Sequence, residues 1–339
     1  MSGTAAAPVG RILVREVNWL GDAVLTLPAL AALDRRFPQA EITILAKPWV
    51  AGLLRGQPGV DRVIEYDAPG LRGRWELAHR LRPYAFELAV LFPNSLDAAL
   101  IPWLAGIPRR VGFGTDCRTR LLTDRVPLPE KKRHQVFRYL RVVEAVGASG
   151  DAVPVLRATP EADAAAERLL KESGVDPVEP FLALNPGSIY GDAKRWPPER
   201  FAAAADRIAK TRKMRVLLIG SAKEGPILEA IGGRMQTAAV QLGGRTDLTS
   251  LIGILRRARL LVTNDTGAMH VAAAIGTPVL TIIGPTDPIA TGPLGARARV
   301  VQHPVPCSPC LLRTCPIDHR CMERIEVEDV VAAAEALWQ

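Results

Sequence analysis

In the carboxyl half, an apolar run from Leu260 to Val262 breaks into Asn264, Asp265, Thr266 and Gly267. The run is too short for a helix and suits a buried strand, and the residues after it form turns and caps. Thr266 or Asp265 can cap a helix beginning near Gly267. The free N–H groups at Thr266, Gly267 and Ala268, with the positive end of the helix dipole, then face a crevice at a strand's carboxyl end, where phosphate binds. A second strand-like run, Val279 to Ile283, ends in Gly284, Pro285, Thr286 and Asp287 and brings another polar loop to the same edge. His270 lies one turn into the helix, either as a donor to a ligand or as a hydrogen-bonded core histidine.

Other residues offer complementary chemistry. Lys194 and Arg195 in GDAKRWPPERF follow NPGSIYGD, where Gly187 and Ser188 let backbone N–H groups approach a phosphate. An exposed lysine in a polar loop is otherwise only solvated. An anion aimed at a diphosphate would repel it, so Asp265 suits sugar hydroxyls better. Asp22 ends the first strand-to-helix loop, as a general base or as a cap of the helix it begins. Glu224 follows RVLLIGSAK, where a carboxylate can accept two hydroxyls or can simply be a surface glutamate. Cys307, Cys310, Cys315 and Cys321, with His319 among them, have a Cys-x-x-Cys start and a density that could hold a tetrahedral zinc ion. The last two spacings are not those of a zinc ribbon, and reduced thiols in a proline-rich loop are the other reading.

These residues must be positioned by a repeated order of strands and helices. Arg11 to Val17, EITILAK, DRVIEY and ELAVLF read as strands, separated by helical stretches from about Asp22 and around Val50–Leu54, Arg74–Leu81 and Leu96–Leu104. His134 to Val146 reads as an amphipathic helix closing the first half. Prolines at 154, 160, 177 and 180 mark a bridge, after which FLALNPG, RVLLIG and AVQLGG restart the alternation. Such order implies mostly parallel sheets covered on both faces.

The 339 residues suffice for two domains, and 48% hydrophobic with 23% charged residues is a globular composition. Of the net charge of +8, residues 1–150 carry +7, from 21 basic and 14 acidic side chains. Its densest part is Arg109, Arg110, Arg118, Arg120, Arg125, Lys131, Lys132 and Arg133, a set that could attract an anionic partner or form a solvated surface. Aromatic residues, 5% of the chain, are not interleaved with these as a nucleic-acid stacking platform needs, so nucleic acid is not expected as a partner. The opening MSGTAAAPVG lacks a basic start and an apolar core, and Gly276, Thr277 and Pro278 interrupt the one long uncharged stretch. A cytoplasmic location is the expectation. There is no GxGxxG after the first strand, no GxxxxGK[ST] and no Asp-x-Asp, which points away from a dinucleotide oxidoreductase and towards metal-independent chemistry.

Four stretches in order, NWLGDAVLTLPAL, NPGSIYGDAKRWPPERF, GGRTDL and TNDTGAMHVAAAIGTPVLTIIGPTDPIATGPLG, resemble glycosyltransferase family 9, the ADP-heptose:lipopolysaccharide heptosyltransferases. The resemblance runs from Arg11 to Met322 and is strongest to the heptosyltransferase II branch. It implies a GT-B fold of the α/β class, two Rossmann-like doubly wound domains facing a cleft. The acceptor domain would span residues 1–155 and the ADP-heptose domain 156–326, with a last helix in 327–339 packing back on the first domain. The implied reaction is inverting transfer of L-glycero-D-manno-heptose from ADP-heptose to the first heptose of the inner core, on Kdo-lipid A, with no cofactor required for catalysis. Such an enzyme would touch the cytoplasmic face of the inner membrane as a peripheral protein. Heptosyltransferase I or III activity on another acceptor, or a non-catalytic nucleotide-sugar-binding role, are the alternatives.

The same resemblance assigns roles. Asp22 matches the aspartate of the family's GD motif, its base, and Lys194, Trp196 and Pro197 match a K-x-W-P pattern that contacts diphosphate. Ser188, Arg195, Glu224, Asp265, Thr266, Gly267, Ala268 and His270 would complete the donor side. The basic set Arg109, Arg110, Arg118, Arg120, Lys131, Lys132 and Arg133 would face the acidic glycolipid acceptor.

Overall fold

Each half of the chain wraps a six-stranded parallel sheet in helices, and the computed structural model describes residues 9–128 and 133–338. The two units are Met1–Ala152 and Val153–Gln339. In the first unit, β1 (Arg11–Arg15), β2 (Glu41–Ala46), β3 (Arg62–Glu65), β4 (Leu88–Leu91), β5 (Arg109–Phe113) and β6 (Asp124–Val126) lie in the order β3-β2-β1-β4-β5-β6. The helices are α1 (Leu20–Arg36), α2 (Pro48–Leu54), α3 (Gly70–Leu81), α4 (Leu96–Leu104) and α5 (Val136–Glu144). Strands β1 and β4 are buried on both faces, so Ile12–Val14 and Leu88–Leu91 are continuous apolar runs rather than alternating ones. Two strands, β5 and β6, are absent from the sequence-based reading because neither RRVGF nor DRV contains an apolar run long enough to stand out.

The second unit repeats this plan. Its strands are β7 (Phe181–Asn185), β8 (Arg215–Leu218), β9 (Ala239–Gln241), β10 (Leu260–Asn264), β11 (Val279–Ile282) and β12 (Ala298–Val301), in the order β12-β11-β10-β7-β8-β9. Around them lie α6 (Pro160–Glu172), α7 (Pro198–Arg212), α8 (Gly225–Gly232), α9 (Leu248–Arg257), α10 (Gly267–Ile275), α11 (Pro288–Thr291), α12 (Arg320–Glu323) and α13 (Val327–Glu335). Counted from its own first strand, each sheet has the doubly wound Rossmann order. In such a sheet the chain leaves its first strand in one direction and returns on the other side, so neighbouring loops diverge and open a crevice. These crevices lie at the carboxyl ends of β1 and β4 in one unit and of β7 and β10 in the other.

The second core is centred on Trp196, fully buried, with Phe201 edge-on at 5.1 Å. Val330 and Ala334 of α13 belong to the same core. Helix α13 packs on α7, β11 and β12 of its own unit. Arg207 pairs with Glu328 there, and Arg212 with Glu335. Among the described residues, no helix is long and apolar enough to cross a membrane.

Candidate active site

Two asparagines that end neighbouring strands build the crevice of the second unit. Asn264 Nδ2 donates to Pro186 O at 2.6 Å, and its Oδ1 accepts from Trp196 N at 3.2 Å, so one side chain ties both ends of the 186–196 loop. Asn185 Oδ1 accepts from Thr266 Oγ1 at 3.3 Å. Thr266 is the residue before α10, but its hydroxyl is turned to the strand ends and makes no side-chain cap. The expected capping by Thr266 or Asp265 is thus corrected. The amino end of α10, at Gly267 and Ala268, keeps its dipole and N–H groups uncapped by a side chain, an arrangement that favours an anion.

Lys194 Nζ stands 2.7 Å from Asp265 Oδ2, with the two side chains only 13% and 7% exposed. Thr286 Oγ1 donates to the same carboxylate oxygen at 2.6 Å. The ammonium also lies 4.7 Å from the centre of the Tyr190 ring. Carboxylate and ring together hold a long, flexible side chain in one place, which lowers the entropy that a ligand would otherwise have to remove. Next to it, Arg195 Nη2 donates to the carbonyl of the buried Ser188 at 3.3 Å, and its Nε is buried without a hydrogen-bond partner.

Glu224 is buried, and its Oε2 accepts from Ser221 N at 2.7 Å and Ser221 Oγ at 2.8 Å. One oxygen is thus occupied by a local turn. The carboxylate lies against Gly187, where a Cβ would stand 1.8 Å from Oε1. Only glycine at that position leaves Glu224 where it is. His270 is buried on α10.

The cysteine-rich segment braces this loop. Arg313 O accepts from Ala193 N at 3.0 Å, Leu311 O accepts from Tyr190 Oη at 2.7 Å, and His319 Nε2 lies 2.7 Å from Ala193 O. A Cβ at Gly191 would meet Arg313 O at 2.2 Å, so the two segments run in direct backbone contact. Among the described residues, no group of three or more His, Cys, Asp or Glu is disposed to hold a metal ion. Cys307 and Cys310 are exposed while Cys321 is buried. Burial, reinforced by the neighbouring thiols, pushes Cys321 up to about 11.

In the first unit, Asp22 is the third residue of α1, half-buried beyond the end of β1, and Trp19, not Asp22, occupies the cap position. Gln135 Nε2 donates to Asp22 Oδ1 at 2.8 Å and to Tyr139 Oη at 3.0 Å. Deeper lies Glu16, fully buried, whose Oε1 accepts from Val17 N at 2.7 Å. Burial pushes the Glu16 carboxyl up to about 8, and the charge of Asp22 acts in the same direction. The Thr26 hydroxyl, with one hydrogen, has two oxygen neighbours, Ala23 O at 2.8 Å and Glu16 Oε2 at 3.1 Å. With that hydrogen on the carbonyl, the second bond needs a proton from Glu16, which suits the neutral acid.

The basic set divides. Arg109 pairs with Asp124 at 3.0 Å at the amino end of β5. Arg110 donates to Leu121 O at 2.6 Å, and Arg118, with no exposed surface, donates to Phe113 O at 2.8 Å and Ser95 O at 3.2 Å. Through these contacts all three fasten β5 and its loops, while Arg118 Nη2 is buried without a hydrogen-bond partner. Arg120 and Arg133 are exposed, with Arg133 5.5 Å from the Phe137 ring centre. Lys131 and Lys132 lie outside the described residues.

Sequence reasoning missed Asn185, Asn264, Glu16 and Gln135. A polar residue closing an apolar run is the signal that could have found the first three. Gln135 has no local signal, since it meets Asp22 across 113 positions.

The model of "Glycosyltransferase family 9 (heptosyltransferase)" matches residues 74–320. Lipopolysaccharide heptosyltransferase 2 of Escherichia coli strain K12 is 32% identical over 306 residues, covering 86% of this chain and 88% of that protein. Lipooligosaccharide heptosyltransferase 2 of Haemophilus influenzae is also 32% identical, with the same coverage. The solved structure of E. coli ADP-heptose lps heptosyltransferase II superposes with a TM-score of 0.83 at 29% identity, covering 96% of this chain and 98% of that one.

Proposed function

The chain belongs to glycosyltransferase family 9, the heptosyltransferases, and from that membership we propose how its two crevices divide the work of heptose transfer to the lipopolysaccharide core. The donor is ADP-heptose, bound in the second unit. Its diphosphate lies over the uncapped amino end of α10 beside Lys194 and Arg195, and Glu224 takes a ribose hydroxyl through Oε1. Asp265 fixes Lys194 and, with Thr286, faces the heptose. The acceptor is the inner core on Kdo-lipid A, and the hydroxyl used is on its first heptose.

Asp22, ionised and oriented by Gln135, removes the proton of that hydroxyl as its oxygen attacks the anomeric carbon. The bond from that carbon to the diphosphate breaks on the opposite side, ADP leaves with the electron pair, and the configuration inverts. Charge growing on ADP is met by Lys194 and the α10 dipole, so the protein itself supplies what a metal ion would otherwise provide. A lipid acceptor and a basic first unit suit peripheral contact with the cytoplasmic face of the inner membrane.

The observation that carries this reading is the Lys194 ammonium held beside an uncapped helix end at the β7 and β10 crevice. Product mass tests it, after incubation with ADP-heptose and either Kdo-lipid A or the same acceptor already bearing one heptose. One heptose added only to the second acceptor is the expected result. Addition to the first would assign a sister acceptor with the same mechanism, and no transfer to either would remove the catalytic reading.

A further inference from the structure

Of the six tryptophans in the chain, four lie in the first unit, and all four are exposed: Trp19 60%, Trp49 61%, Trp75 54% and Trp103 47%. The second unit's Trp196, by contrast, is fully buried. Three of the exposed rings follow consecutive strands at one edge. Trp19 lies after β1, Trp49 opens α2 after β2, and Trp75 lies on α3 after β3. Side-chain contacts join these loops into a row. Trp49 Nε1 donates to Asn18 O at 2.7 Å, and Lys47 Nζ lies 2.9 Å from Asp67 Oδ1 and 4.5 Å from the Tyr66 ring centre.

Helix α3 carries the row onward. Leu77, Ala78 and Leu81 face the core, while Leu71, 76% exposed, and Trp75 stand four residues apart on the outside. Arg74 pairs with Asp97 at the start of α4, which brings the exposed Leu96 alongside. Within residues 70–82, arginines 72, 74, 80 and 82 face a single acidic residue, Glu76.

Exposed tryptophan and leucine among arginines, within the residues 1–150 that hold +7 of the net +8, is the chemistry of a headgroup interface. Indole rings settle at headgroup depth, apolar side chains enter the acyl boundary, and arginines pair with anionic lipid. We propose that the row Trp19, Trp49, Leu71, Trp75 and Leu96, at the carboxyl edge of the first sheet, is the surface by which the protein rests on an anionic bilayer. This rests on the reading of a lipid-anchored acceptor, and Asp22 opens on the same edge. A membrane-embedded acceptor then meets the base without leaving its bilayer.

The test is flotation of the full chain with vesicles of phosphatidylethanolamine and phosphatidylglycerol, or of phosphatidylcholine alone. Alongside it, transfer to a deacylated, water-soluble acceptor is measured. Wild type should float with the anionic vesicles, and the double variant Leu71→Ser, Trp75→Ser should lose roughly 10-fold or more in binding. Arg72→Gln with Arg80→Gln should lose about 5-fold per charge. Both variants should keep wild-type transfer to the soluble acceptor, which also shows that they fold. Variants that float like wild type would overturn the proposal, as would a wild type that prefers neither vesicle. Absent transfer to the soluble acceptor would overturn the enzymatic reading, while flotation would still decide the docking surface.

Discussion

Lys194 and Asp265 form an ion pair at 2.7 Å, and Thr286 donates to the same carboxylate oxygen at 2.6 Å. The pair stores the lysine in its working position before any ligand arrives. Lys194→Ala should weaken ADP binding by about 10- to 100-fold, the usual size of a hydrogen bond to a charged group. Asp265→Asn removes a like charge from the diphosphate's surroundings, so ADP should bind at least as tightly, while the transfer rate drops roughly 10-fold as Lys194 loses its anchor. Calorimetry with ADP and steady-state rates separate the two. A D265N protein that loses as much ADP affinity as K194A would show that the carboxylate does more than hold the lysine.

Gln135 is the corresponding holder in the first unit, 2.8 Å from Asp22. Asp22→Asn should leave ADP affinity unchanged and lower turnover by roughly 10²- to 10⁴-fold. Gln135→Ala should be milder and carry a signature. A carboxylate no longer held spends less time in line with the hydroxyl, so kcat should fall by roughly 10-fold while ADP affinity stays as it is. An unchanged kcat would reduce Gln135 to packing.

Gly187 is defined by what it excludes. A Cβ there would stand 1.8 Å from Glu224 Oε1, so Gly187→Ala must displace that carboxylate. ADP affinity should fall by about 10-fold, in line with a lost hydrogen bond of about 1.5 kcal/mol, and Glu224→Ala should match it. Calorimetry on both variants would detach Glu224 from nucleotide binding if neither changed affinity.

Glu16 links the first unit to pH. Its carboxyl is raised from 4.5 to about 8 by burial. Between those values the unfolded chain has released this proton and the folded chain keeps it, so the folded state binds more protons and stability falls as pH rises. The slope should reach at most about 1.4 kcal/mol per pH unit. Glu16→Gln, which stays neutral, should lack this contribution. Denaturant unfolding of both proteins near each end of the window reads the difference, and parallel profiles would mean that Glu16 ionises normally in the folded chain.

Much of this architecture was legible from the chain. Buried central strands such as β7 and β10 announce themselves as apolar runs ending in polar residues, and the helices between them by periodicity. Strands β5, β6 and β12 were not legible, because three to five residues bearing arginine give no apolar run. With those strands unseen, the contacts of Arg109 to Asp124 and of Arg110 to Leu121 O were not legible either. The role of the cysteine-rich segment was not legible for another reason. Whether its cysteines bind metal or stay reduced, it contacts residues more than a hundred positions earlier through Leu311 and Arg313, which no local pattern encodes.

The break between Ala152 and Val153 also separates two kinds of inheritance. In the proposed division of labour, residues that read the activated sugar all follow it, and those that meet the acceptor all precede it. Substitutions can therefore accumulate in the first unit and redirect which sugar is extended without disturbing how the nucleotide is held. A lineage of such proteins could diversify its cell-surface polysaccharides one half-chain at a time, keeping a common currency of donor while changing its destination.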